Sequence, residues 1–418
     1  MEVVTPAHVV LLASPGAGNF LPVAELVRRI VTHRAGLFTA TLVTYTNFSS
    51  ANHASCLASL PPSVSTAALP EVPLDGLPPD ARTETRIFTV VKRSLPHFRA
   101  LLRSLLASSP AGVAAFVTDF LGPWTLEVAR ELGVPGYVFS TSNLMTLCSM
   151  LHNPEIDRAT RCEFRDLMEP VRLPGCVPLH GADLLDSVQD RTDPAYALTV
   201  ELGRKLLLAD GFIVNTFDAM EHETLAAFKK LSDKGLYPPA YAVGPFVRTS
   251  SSDEDFAKHS NYLSWLDEQP ERSVLYVCFG SAGTLSTKQT AELAAGLEAS
   301  GQRFVWVVRF PSDTDRSASF FGSGRGDDPV SYLPEGFVER TKGIGLCVSC
   351  WVPQLEILNH HSVGGFLSHC GWNSTLEAVA AGVPTLVWPL YAEQCDTPSV
   401  IRIPRASLRQ HNIITLRI

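Results

Sequence analysis

The sequence predicts an α/β protein made of two doubly wound domains, and three observations predict it. Short apolar runs alternate with amphipathic stretches, the pattern of parallel strands joined by helices. The pattern breaks near residue 250 in a Ser- and Asp-rich segment, Thr249–Lys258, and then restarts. The length of 418 residues exceeds one ordinary core and suits two domains of roughly 150–250 residues.

Taken in order, His8–Ala13 is a short β run that ends in Ser14-Pro15-Gly16-Ala17-Gly18. Leu21–His33 follows with Val23, Leu26, Val27 and Ile30 at helical spacing. Phe38–Tyr45 is the next strand, and Arg86–Leu106 is a long helix with its basic residues outside. Val113–Thr118, Pro135–Phe139 and Gly211–Val214 read as strands. Gly122–Leu132, Tyr196–Leu208 and Ala219–Leu231 read as helices. Prolines at 238, 239 and 245 bracket one more short strand. After the break come the strand Ser273–Phe279, the helix Thr287–Ser300 and the strand Phe304–Val308. A Gly-, Ser- and Asp-rich loop, Pro311–Pro329, precedes strands at Gly343–Val348, Gly364–Leu367 and Thr385–Trp388. The expected domains are 1–248 and 259–418, joined by a linker at 249–258.

Composition narrows the function classes. Hydrophobic residues make up 45% and charged residues 18%, the balance of a soluble globular protein. The net charge of −8 argues against nucleic acid as a partner, which a basic face would meet. The nine cysteines have no regular spacing and fit free thiols in a reducing compartment. Cys347 and Cys350 form one C-x-x-C without the second pair of a zinc ribbon, so both read as buried strand thiols. Val9–Ala13 is too short for a signal sequence, and nothing approaches the ~18 apolar residues of a spanning helix. A cytoplasmic protein with no transmembrane segment is expected.

Chemistry concentrates between Trp351 and Gln394. Trp351 follows a strand, where an indole can stack on a flat base, because ligands of such sheets sit outside the strand C-termini. His369-Cys370-Gly371-Trp372-Asn373-Ser374 follows the next strand. Gly371 permits a close turn, and Asn373 and Ser374 can cap the helix beyond. A helix start suits a diphosphate, and His369 adds a donor without a permanent charge. Glu377, one turn past Asn373, can accept both hydroxyls of a ribose. Glu393 and Gln394 leave a third strand end and offer the donors and acceptors that a sugar ring needs. Singly, each has an ordinary explanation: a core tryptophan, a capped helix, a first-turn acid, a polar loop. Their joint placement at strand ends does not.

This run resembles, almost letter for letter, the signature box of plant secondary-product glycosyltransferases (family 1), which use UDP-sugars. Ser14-Pro15-Gly16, Thr118-Asp119-Phe120, Trp265-Leu266-Asp267, Phe279-Gly280-Ser281 and Pro334-Glu335-Gly336-Phe337 look like landmarks of the same family, so the likeness spans residues 6 to 394. Within it, the chain is most similar to the branch that conjugates hydroquinone and other phenols. The resemblance implies a GT-B fold, two Rossmann-like domains facing across a cleft, with the acceptor on the first and UDP-glucose as co-substrate on the second. It implies Trp351 on the uracil with Val352 beside it, Gln354 and Glu377 near the ribose, and His369, Gly371, Asn373, Ser374 and Ser281 at the diphosphate. Trp372, Glu393 and Gln394 would hold the sugar, Gln394 favouring glucose. Phe120, Ser140 and Leu144 would line the acceptor pocket. No metal is implied, and a monomer is expected.

Two departures stand out. The family's reaction inverts the anomeric carbon after a histidine, oriented by an aspartate, removes the acceptor's proton. The aspartate is present as Asp119, but Asn19 stands at the histidine's place, and an amide takes no proton at neutral pH. Loss of a general base costs about 10²–10⁴-fold. Slow transfer is therefore expected, with a weak or inactive UDP-sugar binder as the alternative. The second departure is Cys395–Ile418, which carries four arginines and one acid, matches no family segment and suggests an incomplete second domain. A dinucleotide dehydrogenase is the remaining rival. It fails because Leu21 stands where a third glycine belongs and Thr44-Tyr45-Thr46-Asn47 offers no acid for a ribose.

Overall fold

The structure is a computed structural model that describes residues 5–49, 51–78, 80–109, 112–247, 260–314, 328–395, 397 and 414–415. The expected linker at 249–258, most of the Gly-rich loop and nearly all of the 395–418 tail lie outside the described residues. The chain divides into two compact units, Met1–Phe246 and Val247–Ile418.

The first unit runs β1 (Ala7–Ala13), α1 (Ala17–His33), β2 (Phe38–Tyr45), α2 (Ala51–Ala58), β3 (Val64–Leu69), α3 (Thr83–Ser108), β4 (Ala115–Asp119), α4 (Thr125–Glu131), β5 (Gly136–Ser140), α5 (Leu144–Ala159), α6 (Pro194–Leu206), β6 (Gly211–Val214), α7 (Asp218–Asp233) and β7 (Ala240–Ala242). Its strands form one parallel sheet in the order β3-β2-β1-β4-β5-β6-β7. The central strands are mostly apolar because helices cover both faces, with His8, Thr41, Thr118 and Asp119 among the polar exceptions in β1, β2 and β4. Leu11, Val27, Leu42 and Phe139 are fully buried in one continuous core.

The second unit runs α8 (Ser260–Asp267), β8 (Val274–Cys278), α9 (Thr287–Ser300), β9 (Arg303–Val307), α10 (Phe337–Arg340), β10 (Gly345–Val348), α11 (Gln354–Leu358), β11 (Val363–Ser368), α12 (Trp372–Ala381), β12 (Thr385–Val387) and β13 (Ile414–Thr415). Its parallel sheet has the order β10-β9-β8-β11-β12-β13. Side chains alternate between two cores. Tyr276, Val305 and Phe366 enter one, and Val277, Phe304, Trp306 and Leu367 enter the other. Full burial on both faces explains why these strands read as unbroken apolar runs. No described helix is long and apolar enough to cross a membrane.

In both sheets the chain reverses its direction of growth once, between β1 and β4 in the first unit and between β8 and β11 in the second. Carboxyl ends of strands at such a reversal leave a crevice where ligands bind.

Several elements differ from the sequence reading. Leu144, expected to line the acceptor pocket, begins a helix that was not expected, α5. It is buried on most sides, so no polar face marks its period, and Asn143 caps it by accepting from Thr146 N–H at 2.7 Å. Helix α2 and strand β3 were not expected. The first is short and rich in small residues, and the second is an edge strand with an irregular burial pattern. Cys350 is exposed and lies past the end of β10, and Cys347 is only half-buried, so the pair is not a buried strand motif.

Candidate active site

In the first unit the crevice lies beyond β1, β4 and β5. Strand β4 ends in Asp119, which is fully buried. Its carboxylate accepts from the Ser14 hydroxyl at 2.7 Å, from the Ser14 N–H, and from Leu121 N–H at 3.0 Å. Burial pushes this carboxyl up to about 6, against hydrogen bonds from Ser14, Leu121 and Gly122 that pull it down. It ties the loop after β1 to the end of β4. Asn19 lies in the first turn of α1 and is half-buried. Its Oδ1 accepts from the Thr141 hydroxyl at 2.9 Å, from the loop after β5. Asn19 and Asp119 thus sit in the same corner but bond to different partners. Phe120 is half-buried beside them. Ser140 and Leu144 are buried, and the Ser140 hydroxyl turns inward to the Ser142 carbonyl.

In the second unit the corresponding crevice lies beyond β8 and β11. His369 leaves β11, is 8% exposed, and is held well below its ordinary range, at about 4, by burial. Two glycines make its seat. A Cβ on Gly280, after β8, would lie 2.5 Å from His369 Nε2, and one on Gly371 would lie 2.6 Å from it. Gly280 also has φ of +79°, which side chains rarely adopt. His369 Nδ1 is buried with no hydrogen-bond partner among the described residues. An imidazole in this setting is neutral at pH 7, so it can offer an N–H but not a positive charge.

The chain after His369 is strained. Cys370 has φ of +64° and Ala392, just before Glu393, has φ of +56°. Non-glycine residues in this region cost on the order of 1–3 kcal/mol each and gather at functional sites. The N-cap of α12 is Gly371, so Asn373 and Ser374 are helical residues of its first turn and not caps as the sequence suggested. Gln354, the first residue of α11, donates through Nε2 to Ser374 Oγ at 2.8 Å and to Glu377 Oε2 at 2.6 Å. Trp351, between β10 and α11, is half-buried, and Ser281 is exposed.

A family model described as UDP-glucoronosyl and UDP-glucosyl transferase matches residues 254–411. Hydroquinone glucosyltransferase of Rauvolfia serpentina is 44% identical over 387 residues, covering 93% of this chain and 81% of that protein. The chain belongs to the UDP-glycosyltransferase family. Two solved relatives carry the likeness into three dimensions. A UDP-glucosyltransferase from Polygonum tinctorium capable of glucosylating indoxyl, solved with 3,4-dichloroaniline, is 42% identical with a TM-score of 0.84. That match covers 95% of this chain and 83% of the other. UGT2 of Phytolacca americana, solved with UDP-2-fluoro-glucose and pterostilbene, is also 42% identical, with a TM-score of 0.82 over the same shares. Both are GT-B enzymes, and the two parallel-sheet units described above are the two domains of that fold.

This UDP-glycosyltransferase takes a UDP-sugar as co-substrate, and its second unit gathers most of the residues expected for that role at one edge. Some differ in what they present. Val352 is 5% exposed and Trp372 is 2% exposed, so both side chains belong to the core. The Trp372 N–H donates to the Glu393 carboxylate, whose proton affinity is raised by burial. Gln394 Oε1 accepts from Leu390 N–H at 2.8 Å and Tyr391 N–H at 3.1 Å, so it staples its own loop. Among the described residues, one trio could bring three metal-ligand atoms within 4.8 Å: Asp267, His360 and His361. None of them belongs to the donor cradle, and His360 Nε2 is hydrogen-bonded to Asp267 Oδ1 at 3.2 Å. The roles of Ser14, Thr141 and Gly280 as partners were not read from the sequence. Ser14 and Asp119 are 105 residues apart, and Asn19 and Thr141 are 122 apart, so no local pattern joins them.

Proposed function

We propose that this chain is an inverting O-glucosyltransferase that moves glucose from UDP-glucose to small phenolic acceptors. The observation that carries the reading is the His369 seat. A neutral imidazole fits between Gly280 and Gly371, at the sheet reversal and against the start of α12. In this reading, backbone N–H groups of α12, with Ser281, Asn373 and Ser374, receive the diphosphate, where the helix dipole favours negative charge. Trp351 stacks on the uracil beside Val352. Gln354 and Glu377, already hydrogen-bonded to each other, take the ribose hydroxyls. Trp372 through its backbone, Glu393 and Gln394 hold the sugar, and Gln394 favours glucose. The first unit supplies the acceptor side through Phe120, Ser140 and Leu144. A phenolic acceptor agrees with the hydroquinone enzyme of Rauvolfia serpentina and with the pterostilbene complex. The reading also places the protein in the cytoplasm as a monomer that needs no metal.

Asn19 favours a second reading, a UDP-sugar binder with little or no turnover. A screen of UDP release over phenols separates the two. Release on hydroquinone above the buffer rate supports the transferase, and UDP binding with no release from any phenol supports the binder.

A further inference from the structure

We propose that the acceptor corner is built to receive an oxygen that is already an anion, a carboxylate or an acidic phenolate, with Asn19 as the donor that holds it. The proposal rests on the transferase reading above and names the acceptor class of that site.

The amide of Asn19 has a defined polarity. Its Oδ1 is occupied by the Thr141 hydroxyl at 2.9 Å, and no described residue accepts from its Nδ2. Thr141 is itself 4% exposed and follows β5, so the pin comes from the carboxyl end of an interior strand. Asn19 is half-exposed at the reversal between β1 and β4, where a ligand of this sheet belongs. What the amide presents there is therefore N–H.

No described base stands ready to take a proton in that corner. Asp119 is fully buried and bonded to Ser14 and Leu121. His8 is turned to the Thr39 and Thr41 hydroxyls at 2.9 and 3.0 Å. His53 is buried and packs on Phe20 with ring centroids 4.3 Å apart. The Tyr45 ring is buried with its hydroxyl inside the protein. A neutral hydroxyl docked here would find a donor facing its oxygen and no acceptor for its proton. An anionic oxygen would gain a charge-assisted hydrogen bond.

The step then balances without an enzymic base. The acceptor's proton leaves to solvent before binding. An oxygen lone pair forms the new bond to the anomeric carbon, and the bond from that carbon to the phosphate oxygen breaks. UDP departs with the electron pair. The product is a glucosyl ester from a carboxylate or an aryl glucoside from a phenolate.

The test compares benzoate, 4-nitrophenol and hydroquinone as acceptors with UDP-glucose, reading UDP release, in wild type, Asn19→Asp and Asn19→Leu. UDP calorimetry on each protein comes first. In wild type, kcat/KM for benzoate and 4-nitrophenol should exceed that for hydroquinone by about tenfold or more. The 4-nitrophenol rate should rise with pH only until that phenol is ionised. Asn19→Asp should raise KM for benzoate by about tenfold through like-charge repulsion, and it should speed hydroquinone because the new carboxylate can accept that hydroxyl's proton. Asn19→Leu, of similar size and without a donor, should lose the preference for anions. Equal wild-type rates on hydroquinone and 4-nitrophenol would overturn the proposal alone. So would an unchanged benzoate KM in both variants, or UDP binding with no release from any acceptor. Absence of UDP binding in wild type would overturn the transferase reading and the proposal with it.

Discussion

The functional reading depends on single side chains that are set by contacts far apart in sequence. Asn19 is the sharpest case. Replacing it with histidine restores a group that can take a proton, and kcat/KM on hydroquinone should rise about 10²-fold or more, measured by UDP release. Gly280 is the counterpart on the donor side. A methyl in Gly280→Ala would lie 2.5 Å from His369 Nε2 at a φ of +79°, so the imidazole must leave its seat. UDP affinity should fall about tenfold or more, equivalent to roughly 1.4 kcal/mol, by calorimetry. His369 also gives the second unit a pH dependence. Burial holds its folded value at about 4, below the unfolded value near 6.5. For a histidine kept neutral, the stabilisation is present above the unfolded value and is lost as pH falls through the folded one. Between pH 6.5 and 4 the loss should be on the order of 3 kcal/mol, and His369→Gln should remove that slope in thermal unfolding. Asp119, raised to about 6, has the opposite slope, so the readout is the difference between the variant and wild-type curves.

Among the elements, α5 shows how the acceptor side is held in place. Glu221, at the start of α7 and 4% exposed, accepts from Leu144 N–H at 2.9 Å and Met145 N–H at 3.0 Å. These are first-turn donors of a helix that would otherwise begin with unpaired groups inside the protein. Glu221→Ala should destabilise the protein by about 1–3 kcal/mol for each donor left unpaired. Denaturant unfolding would measure that, and the hydroquinone KM should rise more than the UDP Kd. Helix α5 also marks where reading the sequence stops. Strands β2 and β6 and helix α9 were legible to the residue, because their apolar spacing or their punctuation is local. In α9, Ser286 and Gln289 form a capping box and Gly301 closes the end in the left-handed conformation. Helix α5 had no such contrast between faces, with a proline at 154 inside it. The candidate site followed the same rule. Residues grouped in one stretch, from Trp351 to Gln394, could be picked out, whereas the Ser14–Asp119 and Asn19–Thr141 pairs could not. The orientation of each side chain was also hidden. Trp372 and Val352 turned out to face the core, and Gln394 to hold its own backbone.

For the whole molecule, the two units repeat one plan. Each is a parallel sheet that reverses once, and in each the candidate site loops leave the carboxyl ends beside that reversal. The plan explains why a loop after β8 and a loop after β11, some 90 residues apart in sequence, build a single seat for one imidazole. The central claim is that this seat and the neighbouring start of α12 bind uridine diphosphate. Calorimetric titration of UDP into the folded chain tests it most directly. The account predicts a saturable one-to-one heat that weakens in Gly280→Ala and in Trp351→Ala. No heat from wild-type protein, or heat unchanged in both variants, would contradict it.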